Sequence, residues 1–168
     1  MRSPQLNGGT FMGNDGPNSP LWPADNAAVT AHVNLLQGII TRLANNSASC
    51  KTWCLTLVGA LFSLAGATHA RGVITFALVP VLIFGFLDVM YLAQERAYRD
   101  LYNTLIKSIS SGTYKLADVY KAGAKPTVKH IKAAIFSWSI LPVYLGLIVT
   151  YFVVRSAGWF EFLAPVAK

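Results

Sequence analysis

A chain of 168 residues has room for one or two small domains, and with 54% of its residues apolar and only 12% charged it is a poor match to a soluble domain of that size. The mean hydropathy of +0.45 points the same way, and the net charge of +7 makes the polar remainder basic. Together these set aside an ordinary soluble domain and direct the reading to an all-α integral membrane protein.

Residues 1–26 lack the apolar core of a cleavable signal and are punctuated by Pro4, Gly8, Gly9, Gly16, Pro17, Pro20 and Pro23, so they read as a disordered or extended tail. Trp22 is its one anchor point, against the membrane interface or the folded part. Over 27–48, Val29, Val33, Leu36, Ile40 and Leu43 recur at helical spacing behind a cap at Asp25 or Asn26. This amphipathic helix carries little charge, which favours packing against another helix over floating on a leaflet. Asn45-Asn46-Ser47 spells a glycosylation acceptor, a chance match given the orientation argued below.

Residues 49–94 read as a transmembrane hairpin with spans at about 52–68 and 72–92, each near the roughly 20 residues that cross a bilayer. Lys51 and His69 flank the shorter first span, where they can snorkel. A helical hairpin buried in a soluble core is the alternative, but three apolar runs leave too little polar surface to cover them. Cys50 and Cys54 lie one helical turn apart, far in sequence from His32, His69 and His130, and read as small apolar residues rather than a bridge or metal ligands.

Tyr98, Leu101, Tyr102, Leu105 and Ile109 continue the helical stripe until Ser110-Ser111-Gly112, so the second span should extend beyond the membrane as one long helix. A short helix around 114–121 ends by Gly123, and Pro126 suits the first turn of a helix that becomes a third span over 133–154, kinked at Pro142. In the tail 155–168, Trp159, Phe160 and Phe162 suit the headgroup layer.

Orientation follows from the basic residues. Arg96, Arg99, Lys107, Lys115, Lys121, Lys125, Lys129 and Lys132 all fall in the helical segment 95–132, opposed there by Glu95, Asp100 and Asp118. Positive flanks stay inside, which places the N-terminus in the cytoplasm, the hairpin turn near residues 69 and 70 outside, and the C-terminus outside. The basic segment becomes a cytosolic surface for a partner protein. Its lysines are spread singly without an aromatic-basic fold motif, which argues against nucleic acid, and His130 in this pre-membrane stretch suits phospholipid contact.

Counting outward from a turn centred at residues 69 and 70 sets Lys51 at the depth of Asp88. A paired charge at the membrane edge costs less than an isolated one. The pair can clip the hairpin; Asp88 can instead line a polar path or meet water. Thr52, Thr56, Gly59, Ser63 and Gly66 step by four and three along one face of the first span and let a helix approach closely, either within the chain or in an oligomer. A conduit would need several copies of so short a chain. The sequence holds no phosphate loop, HExxH, Cys/His cluster or catalytic triad context, so it gives no enzyme, cofactor or metal assignment.

The stretch YLAQERAYRDLYNTL, with an E-R-x-x-R-x-L-Y pattern at Glu95, Arg96, Arg99, Leu101 and Tyr102, follows a long amphipathic helix and a tight hairpin. Over about residues 27–108 this layout resembles the SLATT group of small bacterial two-span proteins of nucleotide-signalling and anti-phage loci, from which the chain departs in its third span and its lack of an attached sensor domain. The resemblance implies a bacterial inner-membrane effector that assembles and perturbs the bilayer when a partner triggers it. The alternative is a non-catalytic membrane anchor that recruits a partner through its basic cytosolic face.

Overall fold

The computed structural model describes residues 26–68, 71–119 and 121–156. Every regular element among these residues is helical. The order is α1 (Asn26–Thr68), α2 (Arg71–Thr75), α3 (Leu78–Ser110), a 3-10 turn (Leu116–Asp118), α4 (Val128–Ile135) and α5 (Leu141–Ser156). The tail before residue 26, the expected turn at 69 and 70 and the aromatic tail beyond 156 lie outside the described residues.

Helix α1 fuses the amphipathic stretch and the first span without a break, because nothing between them interrupts the backbone ladder: the segment contains no proline. Its 43 residues extend about 65 Å at 1.5 Å per residue, about twice the hydrocarbon thickness of a bilayer. Half the rod is therefore surplus to any crossing. His32, Leu36, Leu43, Ser47, Cys50, Cys54, Val58 and Ala65 are its buried positions. Their recurring steps of three, four and seven make one stripe, and that stripe is the seam with α3.

The partner rod is less regular than the hydropathy of 72–92 suggests. Pro80 has no N–H for the carbonyl of Phe76, so a continuous helix would strand that carbonyl. The chain instead tightens: Ala77 N–H bonds to Ile74 O at 2.9 Å and Val79 N–H to Phe76 O at 3.1 Å, three-residue steps that separate α2 from α3. From Leu78 the helix then runs through the expected charged extension to Ser110. It stops where Gly112 takes φ 67, a left-handed conformation that glycine adopts without a Cβ clash. Antiparallel register is visible at two levels, Lys51 against Asp88 and Gln37 Nε2 donating to Tyr102 Oη at 3.1 Å.

Two expected elements are corrected beyond α3. The short helix expected over 114–121 is only the 3-10 turn, because Thr113 and Tyr114 N–H return to Ser108 O and the Lys115 N–H is taken by the Asp118 carboxylate. The continuous third span over 133–154 is divided. α4 ends at Ile135, residues 136–140 turn, and α5 begins at Leu141. Pro142 accordingly lies in the first turn of α5, where its missing N–H strands nothing, and kinks no helix. Pro126 lies before the α4 cap Thr127, not inside a first turn.

Ile140, just before α5, and Tyr144 of α5 pack into a core with Cys54, Val58, Ala77 and Val81, and Tyr151 of α5 packs against Ala65 and Ile74. Helix α5 thus runs parallel to α1 and antiparallel to α3. With 16 residues it is about 24 Å long. Among the described residues, α1 and the α2–α3 rod are the two elements long and apolar enough, by length and composition, to cross a membrane.

Candidate functional site

Exposed large apolar side chains concentrate at the hairpin end. Trp53 is 60% exposed, Phe76 66%, Leu82 69%, Phe86 65% and Phe152 60%, distributed over α1, α3, α5 and the turn between α2 and α3. A band of exposed apolar side chains concentrated in this way marks a surface that meets lipid, a ligand or another protein. A groove of about 460 Å³ between α1 and α3, lined by Leu57, Leu61, Leu64, Phe76, Pro80 and Phe84, is part of it.

Asp88 sits at the far edge of this band with no exposed surface. Ser47 Oγ donates to its Oδ1 at 2.5 Å, and Lys51 Nζ stands 2.7 Å from its Oδ2, an electrostatic contact outside hydrogen-bond geometry. The lysine also donates to Ser47 Oγ at 3.0 Å and keeps 18% of its side chain exposed. One turn of α1 thus presents hydroxyl and ammonium, four residues apart, to a single carboxylate. Cys50, Cys54 and Tyr144 lie within electrostatic reach of that carboxylate. Tyr144 Oη donates to Phe84 O at 3.2 Å, and its ring covers Gly85, where a Cβ would stand 3.3 Å from Cδ1. Gly85 is where α5 touches the hairpin one turn from Asp88.

Ser47 and Tyr144 did not figure among the expected site residues. Ser47 had a legible signal, since it is four residues before Lys51 on the stripe that continues to Cys54 and Val58. Tyr144 had none, because its role depends on where α5 docks.

The small-residue row faces the other way. Thr52, Thr56, Gly59 and Ser63 are exposed and Gly66 is half-buried, and a Cβ on either glycine would meet no atom within 4 Å. Among the described residues no helix covers this face. Its hydroxyls turn inward: Thr52, Thr56 and Ser63 each bond to the carbonyl four residues back, at 3.3, 2.9 and 2.9 Å. A helix arriving there would bury no unsatisfied hydroxyl.

The basic residues collect at the opposite end. Arg99, Lys107, Lys115, Lys121, Lys125, Lys129 and Lys132 are exposed, and Arg96 is half-buried. Arg99 pairs with Glu95, itself 5% exposed and two turns beyond Asp88 on the α3 seam. Lys121 donates to Asp118 at 2.7 Å, a bond that lowers the Asp118 carboxyl below the usual range. His130, expected to meet phospholipid, is committed within the protein. Thr127 N–H donates to its Nδ1 at 3.1 Å, so the ring proton lies on Nε2, which faces Asp100 Oδ2 at 2.9 Å and ties α4 to α3. His32 sits at the same end, 2.7 Å from Tyr114 Oη and 3.2 Å from Lys121 O.

Chemically, the Asp88 cluster can lock α1 and α3 together through a buried charge and its hydrogen bond. Among the described residues no group of three or more His, Cys, Asp or Glu could hold a metal ion. Comparison with known proteins adds no relative: no family model, curated protein or solved structure matches this chain.

Proposed function

We propose that this protein inserts its apolar band into the bacterial inner membrane, with the basic end in the cytoplasm, and assembles through the small-residue face of α1 into an oligomer that perforates or perturbs the bilayer under a partner's control. The reading rests on one observation above all: Thr52, Thr56, Gly59, Ser63 and the half-buried Gly66 form a row that no helix among the described residues covers. Within a bilayer such a row lets two helices approach closely, with dispersion as the driving force. The layout resemblance to the SLATT group supports the same reading, and no catalytic step is assigned. A second reading, a membrane anchor that recruits a partner, draws on Lys107, Lys125, Lys129 and Lys132, which are exposed and form no ion pair among the described residues.

Gly59→Leu and Ser63→Leu test the assembly. The mass of the detergent-solubilised particle should fall toward that of a monomer. Thermal unfolding should stay within about 0.5 kcal/mol of the parent, since the substituted face is open. Unchanged mass sinks the interface. Induced expression then separates the two readings: growth arrest with loss of membrane potential fits the perforating oligomer, and silence without a partner fits the anchor.

Orientation has its own test. Reporter fusions after Ser110 should be cytoplasmic and fusions after Lys168 external. A cytoplasmic reporter after Lys168 would mean that α5, shorter than the hydrocarbon core, enters the bilayer without crossing it.

A further inference from the structure

The corner between α4 and α5 exposes apolar and basic side chains together. On α4 the face toward α3 is set by His130, half-buried against Asp100, and by buried Ala134, with buried Ser137 following in the turn. The opposite face carries Val128, 67% exposed, and Ile135, 41% exposed, together with the exposed Lys129 and Lys132. The turn then offers Phe136 at 78% and Trp138 at 91% exposure. In water these four apolar groups would be a liability. Two residues beyond Trp138, Ile140 is already packed in the cluster with Cys54, beside the exposed Trp53. The corner therefore lies at the rim of the apolar band, at the depth where tryptophan prefers to sit and lysine can reach outward.

We infer that the α4–α5 corner is an in-plane membrane anchor selective for anionic phospholipids, with Trp138, Phe136 and Ile135 lodged among the upper acyl chains and Lys129 and Lys132 on the headgroup phosphates. The two lysines stand three apart on the helix, so both ammonium groups face the same side. Neither forms an ion pair among the described residues, and the carboxylate nearest in the α4 packing, Asp100, is occupied by His130. Each lysine near an anionic surface strengthens attachment about fivefold. The inference rests on the membrane part of the proposed function and is independent of oligomerisation.

Tryptophan quenching in nanodiscs tests it. The whole protein is placed in phosphatidylcholine discs containing the same mole fraction of either chain-brominated phosphatidylglycerol or chain-brominated phosphatidylcholine. The contribution of Trp138 is the difference between the parent and Trp138→Phe, and that of Trp53 the difference from Trp53→Phe. Trp138 should be quenched more strongly by the anionic lipid. That preference should vanish in Lys129→Gln/Lys132→Gln and at about 1 M salt, where charges are screened beyond roughly 3 Å. Both lysines are exposed, so the helix content of the variant should match the parent. Equal quenching of Trp138 by the two lipids overturns the selectivity. Abolition of the preference by millimolar inorganic phosphate overturns the lipid in favour of a soluble anion. Quenching of Trp53 without Trp138 overturns the anchor alone, and quenching of neither overturns the membrane reading with it.

Discussion

Lys51→Ala should destabilise the protein by about 3 to 5 kcal/mol, read as loss of thermal stability in detergent, because it leaves a fully buried carboxylate without its counter-ion. Asp88→Asn should cost less: the freed ammonium is already 18% exposed and can move outward, while the amide oxygen can still accept from Ser47. Ser47→Ala should cost about 1 to 3 kcal/mol, since Oδ1 then loses its donor where water cannot replace it. The decisive variant is Lys51→Met with Asp88→Asn. It removes both charges, so its cost should be smaller than the sum of the single costs by about 1 to 3 kcal/mol. Strict additivity would mean that the two groups do not interact energetically despite their 2.7 Å separation. Growth arrest measured on the same variants decides the role of the acid. Under the proposed function, in which the parent protein arrests growth, a neutral pair that restores both stability and arrest makes the contact a clip, and restored stability without arrest assigns Asp88 to the perforating step.

Gly85→Leu should undock α5, at an overpacking cost of about 1 to 3 kcal/mol, because the Tyr144 ring occupies the volume the side chain needs. Gly85→Ala is a sharper test of sign. The new methyl stands 3.3 Å from Cδ1, which forces the ring back by a few tenths of an ångström. Alanine, however, gains up to about 1 kcal/mol of helix propensity over glycine, so the net change should be near zero. Hydrogen exchange over residues 141–156 should rise in the leucine variant and remain as in the parent in the alanine variant. Adding Tyr144→Ala to Gly85→Leu should return part of the protection. Parental exchange in Gly85→Leu would show that α5 does not rest on α3 at that depth.

Much of the hairpin was legible from local chemistry. Helical periodicity fixes which residues share a face, and a turn near residues 69 and 70 then fixes which residues share a depth. That is enough to set Lys51 opposite Asp88, and the structure has them in contact. The end of the long helix was readable too, since Ser110-Ser111-Gly112 couples a weak helix former to the residue best able to take positive φ. Ser47 was not singled out as a site residue, because its neighbours in sequence carry no information about the carboxylate 41 positions away to which it donates.

The sequence by itself determined a helical hairpin whose second arm runs on as one long helix, where the arms pair and where the basic residues fall, because spacing, charge and glycine act over one or two turns. That the amphipathic helix and the first arm fuse into the single rod α1 emerged only in the structure. Tertiary structure alone decided which face of α1 turns inward. Two rows of small residues run along that helix, Ser47, Cys50, Cys54, Val58 and Ala65 on one side and Thr52, Thr56, Gly59, Ser63 and Gly66 on the other, and both admit a close neighbour. The choice fell to the first row because it carries the donors that Asp88 needs, and leaving a buried carboxylate unanswered costs more than leaving a small-residue face open. The division of 133–154 was likewise invisible to hydropathy, which reads an unbroken apolar run. The break is set by contacts distant in sequence, His130 on Asp100 at one end and Tyr144 over Gly85 at the other, with Pro142 free to start a helix but not to continue one.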